Sequence, residues 1–299
     1  MKLTIERAAL FRSLGHVQSI VERRNTIPIL SNVMLEAADG RVGLTATDMD
    51  ISIVESVPAV IETPGSTTAP AHTLYDIVRK LPDGAQVELN TSGGDGQMTL
   101  RAGRSEFTLQ TLPMEDFPQT AGGDLPHRFG LPAVDMRGLI DRTRFAISTE
   151  ETRYYLNGIF IHTTPGDTGE VMRSVATDGH RLARVEMPVP EGASGMPGII
   201  LPRKTVGELR KLIDEISDDI DVALSDTSVR FAFDNAILTS KLIDGTFPDY
   251  ERVIPKGNDK SLNVDCRSFA DAVDRVATIS TEKSRAIKLA AAENNLVLT

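Results

Sequence analysis

The chain has 299 residues, 40% of them hydrophobic, with no tryptophan and one cysteine, Cys266. That length allows about two or more domains, and a lone cysteine excludes an intrachain disulfide or a multi-cysteine zinc site, as expected of a reducing, cytoplasmic setting. The net charge of −10 argues against nucleic-acid binding by the surface as a whole, because such binding depends on neutralising phosphates.

The N-terminal residues Met1-Lys-Leu-Thr-Ile-Glu-Arg7 carry no apolar stretch of the secretory kind, and no apolar run is long enough to span a membrane. Over residues 7–21, Leu10, Leu14, Val17 and Val21 have the spacing of an amphipathic helix. Pro28-Ile29-Leu30 is expected to open a strand. A hairpin follows around the turn Ala38-Asp39-Gly40, then a strand over 51–60. A second helix is predicted over 73–81, stopped by Pro82-Asp83-Gly84. Strands are predicted at 86–90, 97–101 and 107–112.

The same order starts again near residue 129. A helix is predicted over 134–145, strands over 155–162 and 174–186, a helix over 202–216, and strands over 221–224, 229–233 and 236–242. Ala46-Thr47-Asp48 recurs as Ala176-Thr177-Asp178, Arg79-Lys80-Leu81 as Arg210-Lys211-Leu212, and Phe117-Pro118 as Phe247-Pro248. All three pairs lie at shifts near 130 residues. A third copy begins with Ile279-Ser280-Thr281-Glu282, which repeats Ile147-Ser148-Thr149-Glu150, and Arg285 repeats Arg153. The chain stops inside this copy, which is expected to be incomplete. The period is far longer than that of a solenoid repeat, so each unit reads as a whole α+β domain. The expected domains are 1–120, 129–255 and the start of a third over 261–299.

Several motifs stand out: Arg153-Tyr-Tyr-Leu-Asn-Gly158, Thr177-Asp-Gly-His-Arg-Leu-Ala183, Pro202-Arg-Lys204 and Asp244-Gly-Thr-Phe-Pro-Asp-Tyr250. With the repeat, these residues resemble the bacterial sliding clamp family, the DNA polymerase III β subunits, over essentially the whole chain. The resemblance implies α+β clamp domains, each with two helices packed on antiparallel sheets, and a head-to-tail homodimer ring in the full-length protein. It implies helices facing the hole and sheets facing outward. Windows taken over those helices (7–24, 70–80, 135–144, 202–212 and 267–275) hold 15 basic and 7 acidic residues, whereas the rest of the chain holds 17 and 35. Such a lining would hold phosphates without reading sequence, and an acidic exterior would discourage DNA from the wrong face.

The resemblance carries DNA contacts onto Arg24, Arg79, Tyr154, Tyr155, Arg203 and Lys204. His72 and Glu150 stand where the family often has basic or amide side chains; His72 joins the DNA set, and Glu150 would repel phosphate. A peptide pocket carries over onto Leu156, Thr177, Gly179, His180, Arg181, Leu182, Pro248, Arg252 and Val253, with apolar walls and an arginine rim suited to an extended peptide. The implied partners are duplex DNA, the polymerase III α subunit, the clamp loader and repair polymerases with clamp-binding motifs. No membrane, cofactor, metal or catalytic residue is implied. Taken alone, Asp178 and His180 also admit an acid–base reading. However, neither a nucleophile nor a P-loop, Gly-x-Ser-x-Gly, His-Glu-x-x-His or Cys-x-x-Cys pattern supports an enzyme. A DNA-binding scaffold that forms no ring is the remaining alternative.

Overall fold

The computed structural model describes residues 1–91, 96–118, 123–167, 169–215, 218–279 and 286–299. The chain divides into two units, Met1–Phe247 and Pro248–Thr299. In the first unit, one order of elements occurs twice, with one extra strand, Val60–Thr63, in the first copy. The first pass runs β1 (Lys2–Glu6), α1 (Arg7–Ile20), β2 (Asn32–Ala38), β3 (Arg41–Thr47), β4 (Ile51–Pro58), β5 (Val60–Thr63), β6 (Gly65–Pro70), α2 (Ala71–Lys80), β7 (Gln86–Asn90), β8 (Gln97–Ala102) and β9 (Ser105–Gln110). The second runs β10 (His127–Pro132), α3 (Ala133–Asp141), β11 (Gly158–Gly166), β12 (Gly169–Thr177), β13 (Leu182–Pro188), β14 (Ile199–Pro202), α4 (Arg203–Ile213), β15 (Asp219–Leu224), β16 (Ser228–Ala232) and β17 (Ala236–Lys241).

The helices grow directly out of strand ends. Glu6, Pro70, Pro132 and Pro202 precede them, and none provides a side-chain cap. The first helical amide is instead met by the neighbouring strand's end: Arg7 N donates to Ala85 O, Ala133 N to Asp218 O and Arg203 N to Asn157 O. An orphan donor of the first turn is thus satisfied by continuing the sheet's ladder. Proline suits the junction because it has no N–H to satisfy.

Every ladder is antiparallel. In the first copy, β5-β1-β7-β8-β9 form one sheet. In the second, β13-β12-β11-β14 form another. The remaining strands of both copies join into one sheet, β10-β15-β16-β17-β4-β3-β2-β6. Its central seam pairs β17 with β4, from Ala236 opposite Glu55 to Ser240 opposite Ile51. The helices bury their apolar stripes between these layers. Leu10, Leu14, Val17 and Ile20 of α1 meet Leu74 and Val78 of α2 in a core shared with Leu35, Leu44 and Ile53. Leu139, Leu209, Val222 and Phe231 belong to the same continuous cluster in the second copy.

Several sequence expectations are corrected. Residues 28–30 form a 3-10 turn (Pro28–Ser31), and the strand begins only at Asn32. Pro28 fixes the turn, and Leu30 N bonds back to Ile27 O. Residues 151–156 are 3-10, so the predicted strand 155–162 starts at Gly158. A Cβ at Gly158 would lie 2.3 Å from Leu201 O, so glycine alone allows β14 to approach there. The helix predicted over 134–145 ends at Asp141, where Thr143 Oγ1 donates to Leu139 O. The helix predicted over 202–216 ends at Ile213; residue 216 lies outside the described residues. The recurrences at 280–282 and 285 also lie outside them.

The second unit holds α5 (Cys266–Ala277) and a hairpin of β18 (Leu289–Ala292) and β19 (Asn295–Leu298). Asp265 caps α5, its Oδ1 accepting from Ser268 N at 2.8 Å. Among the described residues no helix is long and apolar enough to cross a membrane.

A polar knot spans the seam. His16 Nδ1 lies 2.9 Å from Glu55 Oε2, and His16 Nε2 lies 2.9 Å from Glu215 Oε1. Glu55 is only 1% exposed; Ser13 Oγ donates to it at 2.6 Å and Asn235 Nδ2 at 3.4 Å. Arg12 pairs with Glu215. Burial alone would lower the His16 pKa, but hydrogen bonds and attraction from Glu55 and Glu215 outweigh it and raise the value. Burial would raise Glu215, but His16 and Arg12 hold it below the ordinary carboxylate value. Since the folded pKa of His16 is raised, its stabilisation is complete below the ordinary histidine value of about 6.5 and fades as pH rises through the raised one. Calorimetric melts should therefore show wild type losing stability over that alkaline rise and His16→Gln losing much less. His16→Ala, which leaves Glu55 buried without its cationic partner, should cost about 3 kcal/mol.

Candidate nucleic-acid and partner interface

Helix α4 presents two faces. Thr205, Val206, Leu209, Leu212 and Ile213 are buried. Arg203, Lys204, Gly207, Glu208 and Lys211 face an open groove of about 580 Å³, completed by Ser148, Thr149 and Asn157. Arg203 is exposed and, among the described residues, has no ion pair. Lys204 is half-buried: its Nζ donates to Ile20 O at 2.9 Å and is paired with Asp48, while Glu22 Oε1 lies 3.7 Å away. Lys211 Nζ donates to both Glu208 oxygens, at 2.8 and 2.9 Å.

Beside the groove, the 3-10 segment Glu151–Leu156 exposes Tyr154 and leaves Tyr155 half-buried, their rings edge to face at 5.7 Å. Gly245 packs under the pair: a Cβ there would lie 3.1 Å from Tyr155 Cβ and 3.5 Å from Tyr154 Cε2. Glu150 is tied to Arg153 at 2.8 Å, which offsets its repulsion of an anion. On the first copy, Arg24 is exposed in the bend after α1. His72 Nε2 donates to Val21 O at 3.0 Å. Arg79 pairs with Asp76 at 3.0 Å and lies 5.8 Å from the Tyr75 ring centroid.

The turn between β12 and β13 is built by its own side chains. Thr177 Oγ1 donates to Arg181 O and accepts from Gly179 N; Asp178 Oδ1 accepts from the amides of His180 and Arg181, each at 3.0 Å. Asp178 Oδ2 accepts from Arg181 Nε at 3.0 Å. Burial would raise the Asp178 pKa, but the bonds from Arg181 and His180 prevail and hold it below the ordinary value. A carboxylate so engaged is a poor general base, and this removes the acid–base reading of Asp178 with His180. Residues 47–51 repeat the design. Thr47 Oγ1 donates to Ile51 O and accepts from Met49 N, and Asp48 Oδ1 accepts from Asp50 N and Ile51 N. Met49, at φ 82°, stands where the second turn has Gly179 at φ 88°.

The model for the DNA polymerase III beta subunit matches along the chain: its N-terminal domain over residues 1–121, its central domain over 130–249 and its C-terminal domain over 251–299. The beta sliding clamp of Caulobacter vibrioides is 57% identical over all 299 residues, which span 80% of that protein. The Escherichia coli beta sliding clamp is 41% identical over 300 aligned residues, covering all of this chain and 80% of its own. The chain belongs to the beta sliding clamp family. Among solved structures, a C. crescentus clamp with bound PEG superposes with a TM-score of 0.96 at 57% identity, covering 100% of this chain and 79% of its own. A Bartonella birtlesii clamp bound to griselimycin gives 0.93 at 52% identity, covering 98% and 78%. As a beta sliding clamp, the chain is a DNA sliding clamp and a processivity factor, not itself a catalyst.

In this clamp, Arg203 and Lys204 open α4, and Tyr154 and Tyr155 lie on the segment just before Asn157, whose carbonyl accepts from Arg203 N, whereas Arg24, His72 and Arg79 belong to the first copy. Of the peptide set, Gly179, His180 and Arg181 are exposed, Thr177 and Leu182 are half-buried, and Leu156 is buried at 4%. Pro248, Arg252 and Val253 belong to the second unit, where all are exposed and Arg252 pairs with Asp249 at 2.7 Å. Sequence reasoning missed Asp48, Asn157 and Lys211. The spacing 203, 207, 211 could have placed Lys211 on the groove's face, and Asp48 already stood in the Ala-Thr-Asp recurrence. Gly179 packs against the Arg153 side chain of the 3-10 segment, since a Cβ there would lie 2.6 Å from Arg153 Nη1. Gly179→Ala should therefore cost about 1 kcal/mol from its left-handed backbone and displace Arg153, which thermal melts and a crystal structure of the variant would show.

Proposed function

We propose that this clamp meets duplex DNA along the α4 groove through Arg203, Lys204, Tyr154 and Tyr155, with Arg24, His72 and Arg79 extending the contact on the first copy. The observation that carries this reading is Arg203: an exposed guanidinium with no ion pair among the described residues, at the mouth of a groove with two further cations. Such groups attract phosphates without reading bases, as a clamp that moves along DNA requires. The domains are read as 1–120, 129–255 and 261–299. The edges of β9 and β13, counterparts of the strands joined at the seam, each have one partner among the described residues. The head-to-tail homodimer of the clamp family, which joins the first domain of one subunit to the third of the other, would extend sheet pairing to the β9 edge. Partner peptides from the polymerase III α subunit, the clamp loader and repair polymerases dock on the first unit at Leu156, Thr177, Gly179, His180, Arg181 and Leu182. The site of action is the cytoplasm.

Arg203→Ala should lower the slope of log affinity against log salt by about 0.9, equally on unrelated duplexes. Strong dependence on base sequence would contradict sliding. Titration of a labelled polymerase-tail peptide should show binding to wild type and none to Leu182→Asp, because a carboxylate would be desolvated without a partner. Circular dichroism should show both proteins folded. Equal binding would leave 177–182 as a turn and nothing more.

A further inference from the structure

Lys204 belongs to the proposed DNA set, yet its charge is already engaged by the first copy. Its Nζ donates to Ile20 O and pairs with Asp48, whose side chain is 12% exposed against 35% for Lys204. Asp48 cannot follow the lysine outward. Its Oδ1 is held by the amides of Asp50 at 3.0 Å and Ile51 at 2.9 Å, so only Oδ2 is offered to the ammonium. The duplicate turn shows why this carboxylate needs a cation from elsewhere. Asp178 takes Arg181 from its own turn. The residue at the corresponding place after Asp48 is Ile51, which is 3% exposed and uncharged. Asp48 is completed from α4, across the seam between the copies.

We infer that Asp48 is a positioning residue for Lys204, holding the ammonium at the groove floor and competing with DNA phosphate for it. This rests on the reading of the α4 groove as the DNA interface. The competition has a physical consequence. A lysine free in solution releases a full counterion equivalent when it meets phosphate. A lysine that must leave a fixed carboxylate gains less from each contact, and recovers that partner when the phosphate moves on. Lys204 therefore grips weakly and exchanges readily, which suits a surface along which a duplex slides.

The test is a double-mutant cycle on the full chain, read by fluorescence anisotropy of a labelled linear duplex over a salt series. Asp48→Asn keeps an acceptor for both turn amides and removes the charge. It should tighten binding and steepen the salt slope by up to about 0.9, the value of one phosphate contact. In a Lys204→Ala background the same change should have no effect. Asp48→Ser, which also leaves an acceptor for the turn, is the second variant, and a thermal melt checks each fold. Equal tightening in both backgrounds would overturn the inference, because Asp48 would then act as bulk negative charge. A slope unchanged by Asp48→Asn while Arg203→Ala lowers it would also overturn it, with the groove reading intact. If neither Arg203→Ala nor Lys204→Ala altered the slope, the groove reading would fail and the inference with it.

Discussion

The pairing of β17 with β4 is the constraint on which the rest depends. Each of these strands would otherwise be an open edge, a row of unpaired amides and carbonyls that invites association. Joined over Ile51–Glu55 and Ala236–Ser240, they turn two sheets into one. The register is extended at both ends, where Lys241 N donates to Asp50 O at 2.8 Å and Ser56 N to Asn235 O at 2.9 Å. Backbone pairing sets position but tolerates slippage wherever neither face is specified. Here the buried side chains Ile51, Ile53 and Leu238 fix one face.

That seam places α1 beside α4, and polar groups then lock the two helices together. Ser19 donates to Glu208, His16 bridges Glu55 and Glu215, and Lys204 reaches Asp48. The His16–Glu55 centre of the knot is shielded from solvent and depends on a complete set of partners, so it rewards correct docking and penalises any other. The tie at Lys204 is more open and lies on the groove itself. The duplicated turn has diverged accordingly. At 177–181 it closes on its own arginine and stands at the surface as a candidate docking edge. At 47–51 it has no such arginine and became part of the joint.

Much of this was legible in the chain. The helix stripes at Leu10, Leu14 and Val17 and the strands at 86–90 and 97–101 follow from periodicity. Short strands that run straight into helices were not, because β1 has no turn signal at its end and the prolines that close β6, β10 and β14 read as breaks. The 3-10 segment at 151–156 was hidden for another reason: Tyr154 and Tyr155 favour strands locally, and the close approach at Gly158 that ends the turn is a tertiary fact. The cations of the groove were visible as residue types. Their pairing states were not, since Asp48 and Lys204 are separated by 156 positions and nothing local links them.

The seam is tested most directly by native-state hydrogen exchange at Ser56 and Lys241, whose amides bond across it. Exchange at these sites should require the same opening that exposes the buried ladders of β2 with β3, because the two copies share one sheet and one core. Fast exchange at Ser56 and Lys241, with β2 and β3 still protected, would mean that the copies part while each stays folded, and that the seam does not hold them together.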